Sequence, residues 1–309
     1  MHETESKLSK LGLGTVQFGL DYGVSNPGGR TKTESVRRIL QTALATGIKT
    51  IDTATLYGQS EKVLGGTLPT GHDFQITTKT GQFNTPLISP KHVNDLMTTF
   101  ACSLEKMALD RVYGLLIHDA NDLLAKGGEY LYEALQKLKE KRLVEKIGVS
   151  VYSGKQIDTL LKNYSLDLIQ LPLNVFDQRL IQGGQIDRLH QAGVEIHARS
   201  IFLQGLLLID PDHLPGYFRP VKNHLINFRK LSSQTGQTPL QTSLDFALGL
   251  EAVDRIIVGV CNLKQLEEII QSIENMPPGL ADFAPLALND SAILNPSEWK
   301  VDEHEPATA

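Results

Sequence analysis

The chain has 309 residues, 41% of them apolar and 21% charged, and a formal net charge of −5. That composition suits a soluble globular protein with one large core, and it excludes two partner classes: no apolar run approaches the roughly 18 residues of a membrane span, and no dense Lys/Arg cluster offers a footprint for a phosphate backbone. Two cysteines, Cys102 and Cys261, and a polar, acidic start at Met1-His2-Glu3-Thr4-Glu5 point to a reducing cytoplasm.

Along the chain, eight short strand-like runs recur at 15–18, 48–52, 74–79, 112–118, 146–150, 166–171, 194–198 and 255–258. Between them lie stretches with apolar residues at helical spacing, such as Val36, Ile39, Leu40 and Ala43, then Val93, Met97, Phe100, Leu104 and Met107, and later Leu131, Leu135 and Leu138. Ile157, Leu160 and Leu161 continue the pattern, as do Leu263, Leu266, Ile269 and Ile270. Residues 33–35 precede the first helix, Gly47 follows it, Gly193 follows the helix near Leu189, and Pro239 opens another. Strict alternation of strand and helix predicts a parallel sheet, and eight units predict closure into a (β/α)8 TIM barrel.

Two regions break the rhythm. Between Ser200 and Ala247 the spacing predicts a long loop at 207–220 and two helices, at 221–231 and 240–250, so the seventh strand is followed by an insertion with an extra helix. After Met276-Pro277-Pro278 the chain turns proline-rich and loses periodicity, which divides it into a barrel at 1–276 and a C-terminal tail at 277–309, packed on the barrel or partly mobile.

Asp52, Lys79 and His118 close the second, third and fourth predicted strands, and Tyr57 follows Asp52 by five positions. In such a barrel the carboxyl ends of the strands converge on one face, so an acid, a phenol, an ammonium and an imidazole meet there. Singly, each has a plainer reading as a helix cap, a turn residue, a surface lysine or a loop histidine; jointly they form a proton-transfer device. The remaining histidines show no metal-binding spacing, so no metal is expected.

At these positions the sequence resembles the aldo-keto reductase superfamily over almost its whole length. The matching pieces are Leu11-Gly12-Leu13-Gly14-Thr15; Asp52-Thr53-Ala54-Thr55-Leu56-Tyr57-Gly58-Gln59-Ser60-Glu61; Thr78-Lys79; Leu116-Ile117-His118; and Ile147-Gly148-Val149-Ser150. The resemblance implies reduction of an aldehyde or ketone by a nicotinamide cofactor, and makes Gly12-Leu13-Gly14 a turn into the first strand. The expected chemistry is direct. An alkoxide forming as hydride arrives needs a proton; Tyr57 supplies it, Lys79 lowers the phenol's pKa, Asp52 keeps Lys79 charged and oriented, and His118 hydrogen-bonds the carbonyl oxygen.

By the same resemblance, Ser150 and Gln170 hold the nicotinamide carboxamide, although Val151 stands where the family usually has Asn. Asp52 and Thr15 join the cofactor set, and the loop carrying Ser200, Phe202, Gln204 and Gly205 straps the pyrophosphate. Arg199 replaces the customary aromatic; its planar guanidinium can stack on the nicotinamide, and its charge suits an anionic substrate. At the adenosine end lie Gly259, Cys261 (in place of a hydroxyl), Gln265 and Glu268, next to a helix N-terminus. NADPH is the expected cofactor from the family, with NADH as the alternative, because no Lys or Arg occupies the loop at 259–263. The expected substrate is a small carbonyl compound or its alcohol, sugars and sugar derivatives included, and the expected assembly is a monomer or weak oligomer. Two other readings stand beside this one: a non-catalytic, regulatory nicotinamide-binding protein, and an aldolase using Lys79 as a Schiff-base nucleophile.

Overall fold

The computed structural model describes residues 7–23, 26, 28–277 and 282–299. Eight parallel strands close a barrel in sequence order: β1 (Leu11–Gly14), β2 (Thr50–Asp52), β3 (Gln75–Lys79), β4 (Val112–Ile117), β5 (Val144–Ser150), β6 (Leu168–Pro172), β7 (Glu195–Arg199) and β8 (Arg255–Gly259). Closure is made by β1, whose Leu13 pairs with Ile51 on one side and Val258 on the other.

The crossovers are α1 (Thr33–Ala45), α2 (Ser60–Thr67), α3 (Pro90–Met107), α4 (Gly128–Glu140), α5 (Gly154–Asn163) and α6 (Gln185–Gln191), with α7 (Lys222–Gln234) and α8 (Pro239–Leu248) after β7 and α9 (Leu263–Glu274) after β8. Each lays an apolar stripe on the sheet. On α1 the stripe is Val36, Ile39, Leu40 and Ala43, all fully buried, and burying a side chain of that kind contributes about 1.5–3 kcal/mol. The starts are locally encoded: at α8 the Thr238 hydroxyl accepts the Gln241 N–H at 3.2 Å and the Gln241 side chain accepts the Thr238 N–H at 3.0 Å, a reciprocal cap.

The first strand departs from expectation. Residues 15–18 were read as a strand and Gly12-Leu13-Gly14 as the turn before it; instead Leu11–Gly14 is the strand and Val16–Gly19 is a helical turn. Glycine is depleted in strands in general, but here crowding excludes a side chain: a Cβ on Gly12 would lie 2.7 Å from Ile257 Cδ1 and 3.0 Å from Thr50 Cγ2. The helix α2 has no counterpart in the apolar pattern, being short and carrying few apolar positions. The stretch expected as a loop at 207–220 holds the tight 3-10 turn Pro211–His213 and overlaps two more, Leu203–Leu208 and Gly216–Val221.

The two ends of the barrel differ in kind. At the amino end of β7, half-buried Glu195 accepts hydrogen bonds from Tyr113 Oη at 2.6 Å and from Lys146, and pairs with fully buried His197 at 2.7 Å. Burial alone would raise the Glu195 pKa, but the bonds from His197, Lys146 and Tyr113 outweigh it and bring the carboxyl to about 2. That end is a structural floor. Of the tail expected at 277–309, residues 278–281 and 300–309 lie outside the described residues. Residues 282–299 pack against the connections after β6 and β7: Leu286, Ile293 and Leu294 are buried, Trp299 stacks edge-on to Phe218 at 4.7 Å, and Leu288 N–H bonds Phe176 O at 2.8 Å.

Candidate active site

The carboxyl ends of the strands surround a cleft of about 380 Å³, and every residue singled out in the sequence for catalysis or cofactor binding lines it. β2 ends on Asp52 and β3 on Lys79, while His118 follows the last residue of β4, so three of the four polar groups stand at the carboxyl ends of successive strands, each two positions beyond the register partner of the one before. Tyr57 sits on the turn between β2 and α2, its N–H bonded to Ala54 O at 3.0 Å. The helical turn Val16–Gly19 runs directly beneath it. A Cβ on Gly19 would fall 1.8 Å from Tyr57 O, so that close approach requires glycine.

Lys79 is fully buried and its ammonium is surrounded: Asp52 Oδ1 at 2.7 Å, Asp52 Oδ2 at 2.8 Å, Thr53 O at 3.0 Å and the Tyr57 hydroxyl at 3.5 Å. Nζ also stands 5.0 Å from the centre of the Tyr57 ring, and that ring meets His118 edge-on, 5.9 Å apart at 84°. Burial lowers the Lys79 pKa and Asp52 opposes it. For Tyr57 the direction is the reverse of the one expected. Burial first, then the Asp52 carboxylate, raise its pKa well above the ordinary value, with Arg199 pulling the other way. The ammonium that was to acidify the phenol is largely neutralised by Asp52, so the resting phenol keeps its proton. Burial, with help from Lys79, lowers the His118 pKa to about 4, which leaves the imidazole neutral at pH 7. His118 Nδ1 is buried and has no hydrogen-bond partner among the described residues.

The second half of the barrel supplies the rest. Ser150 ends β5, and Gln170 on β6 donates Nε2 to Asp52 Oδ1 at 2.7 Å. That bond fixes the amide's orientation and leaves Gln170 Oε1 buried without a partner, as is Gln17 Oε1 beside Gly259. Two orphaned acceptors inside a cleft are what a bound carboxamide or ribose would satisfy, and the residues fit a nicotinamide dinucleotide in that respect. Thr15 is occupied structurally: its hydroxyl bonds Asp52 O at 3.0 Å and its carbonyl accepts from Ser60 at 2.9 Å.

The strap after β7 is tightly wound, with Ser200, Leu203, Gln204 and Gly205 all at positive φ. Gly205 N–H is bonded to Phe202 O at 2.9 Å and Gln204 Nε2 to Tyr22 Oη at 2.9 Å. Arg199 sits over Tyr152, Cζ 4.3 Å from the ring centre. At the β8 end, Asn262 caps α9 by accepting Gln265 N–H at 3.0 Å, while Gln265 Oε1 takes the Cys261 N–H at 2.7 Å. Glu268 is exposed and 3.7 Å from Lys264.

Sequence reasoning did not single out Gln17, Tyr22 and Tyr152. Tyr152 lies two residues beyond the end of β5, and strand-end position alone would have marked it. Gln17 belongs to the segment 15–18 expected as a strand, and Tyr22 lies four residues beyond that segment.

A (β/α)8 barrel with a buried Lys–Asp pair beside a phenol and an imidazole at the strand ends defines an oxidoreductase-type cleft, and the chain belongs to the aldo/keto reductase family, matched over residues 10–278. It is 25% identical over 288 residues to an uncharacterized oxidoreductase, YqkF, of Bacillus subtilis, covering 86% of this chain and 87% of that one. Among solved structures, the holo form of the aldo-keto reductase AKR11C1 from Bacillus halodurans has a TM-score of 0.70 at 20% identity, over 94% and 95% of the two chains. The glycerol dehydrogenase AKR11B4 from Gluconobacter oxydans has a TM-score of 0.62 at 21% identity, over 88% and 94%. No helix among the described residues is long and apolar enough to cross a membrane.

Proposed function

We propose that this protein reduces an aldehyde or ketone to the alcohol in the cytoplasm, with NADPH as its cofactor and NADH as the second choice, and with Tyr57 as the general acid. The observation that carries this reading is the 3.5 Å approach of Lys79 Nζ to the Tyr57 hydroxyl, in a cleft that His118 also lines. A reduced nicotinamide held in the cleft would supply the hydride that reaches the carbonyl carbon. Tyr57 then gives its proton to the oxygen, which as an alkoxide is far more basic than a phenolate. The raised pKa of Tyr57 keeps that acid loaded at pH 7, and the phenolate left behind lies next to the Lys79 ammonium. Neutral His118 donates an N–H to the carbonyl oxygen and orients it. Gln170 and Ser150 would hold the carboxamide, and Ser200 and Gln204 the phosphates; Gly259, Cys261 and Gln265 would receive the adenosine end, a loop without a cation, so that a 2′-phosphate draws little from it.

The aldolase reading is disfavoured, because three acceptors within 3.0 Å take up the Lys79 ammonium protons and a nucleophilic amine needs a free lone pair. The decisive experiment pairs turnover with binding. Tyr57→Phe should abolish reduction across an aldehyde panel while the dissociation constant for reduced cofactor, read from its fluorescence, stays within about threefold. Equal loss of both would mean that Tyr57 serves binding and the acid lies elsewhere.

A further inference from the structure

Arg199 is the unbalanced charge of the cleft. The carboxylates that line it are Asp52, committed to Lys79 and Gln170, and Glu268, exposed at the far β8 end beside Lys264. Half-buried Arg199 has only neutral partners among the described residues: Val151 O at 3.2 Å from Nη2 and Ser200 Oγ at 3.4 Å from Nη1, with the Tyr152 ring centre 4.3 Å from Cζ. A guanidinium offers five N–H groups, so three remain free on a fork already held by two hydrogen bonds and the Tyr152 ring. Tyr22 lines the same cleft as Arg199. Its hydroxyl accepts from Gln204 Nε2 and keeps its own proton for a ligand. A preorganised fork with a phenol beside it is a receptor for a carboxylate.

We propose that the substrate is an oxo acid, a sugar acid with a free carbonyl among them, whose carboxylate is held by Arg199 and Tyr22 while its carbonyl faces Tyr57. This rests on the reductase reading and adds the class of substrate. Arg199 is the last residue of β7 and lines the same cleft as Tyr57, Lys79 and His118. The same fork could instead meet a phosphate of the cofactor, so the test separates the two anions.

The measurement is the ratio of kcat/KM for 4-oxobutanoate to that for 4-oxobutanamide, a pair differing in charge and little in shape. The wild type should prefer the acid about ten- to hundredfold, as a charge-assisted pair would give, and the preference should shrink as salt rises. In Arg199→Gln the ratio should fall to within about threefold of unity, and Arg199→Lys, charged but without the planar fork, should lie between. Equal use of acid and amide by the wild type overturns the proposal. So does a ratio that survives in Arg199→Gln while NADPH affinity falls, which would assign the fork to the cofactor's phosphates. If no carbonyl compound is turned over, the reductase reading fails, and calorimetry of butanoate against butanamide on the wild type and Arg199→Gln still decides whether a carboxylate receptor exists.

Discussion

Gln170 donates its side-chain amide to Asp52 Oδ1 at 2.7 Å, across 118 positions of sequence and from β6 to β2. One glutamine thereby braces the carboxylate that holds Lys79 and presents its remaining oxygen to the cleft. Replacing it by alanine removes a bond to a charged group, worth about 1.5–3 kcal/mol, and an acceptor for the carboxamide. Gln170→Ala is expected to weaken reduced-cofactor binding about tenfold, with a smaller loss of stability, since Lys79 still pairs with Asp52. Fluorescence titration beside thermal unfolding reads both; unchanged affinity would remove Gln170 from the cofactor site.

Asp52 and Lys79 are 4% and 1% exposed, so neither charge tolerates being alone. Lys79→Met leaves a buried carboxylate without its counter-ion and should cost about 3–5 kcal/mol in urea unfolding. The double variant Asp52→Asn with Lys79→Met removes both charges and should be more stable than Lys79→Met alone. If the single and double variants unfold at the same urea concentration, the pair is not the coupled unit described here.

His118 has a folded pKa of about 4 against an ordinary 6.5. The sign follows from which state binds the proton. Below about pH 6.5 the unfolded chain takes it up while the folded protein does not, so stability declines as pH falls, and the decline attributable to His118 is complete near pH 4. The full effect is on the order of 3 kcal/mol. His118→Asn should flatten the stability profile between those limits and leave it unchanged above pH 7. Parallel profiles for the two proteins would show that His118 titrates normally.

Gly19 makes room for the Tyr57 backbone, with 1.8 Å between Tyr57 O and a would-be Cβ. Gly19→Ala must push the two segments apart, at about 1–3 kcal/mol of strain. A displaced phenol should lower kcat at least tenfold, while cofactor affinity, measured by quenching, should change little. Wild-type kcat in this variant would show that the turn yields without moving the acid.

Strand order, and with it the strand-end placement of Asp52, Lys79 and His118, could be read from the chain because a parallel barrel converts position along a strand into position on a face. The last seven strands were therefore found to within about two residues at either end. The first was not. Leu11–Gly14 carries the wrong residues for a strand, and only the crowding by Ile257 and Thr50 from its neighbours explains why glycines belong there. The missed Gln17 follows from that one error.

Residue type and spacing in the sequence were thus enough to determine which groups meet at the mouth of the barrel. Their charge states were decided by the tertiary structure. Lys79 in isolation acidifies a neighbouring phenol; Lys79 held at 2.7 and 2.8 Å by Asp52, inside a buried layer, does not, and Tyr57 keeps its proton. The reason is that a pKa depends on the sum of burial and every nearby charge, and those sums exist only once strands distant in sequence stand side by side.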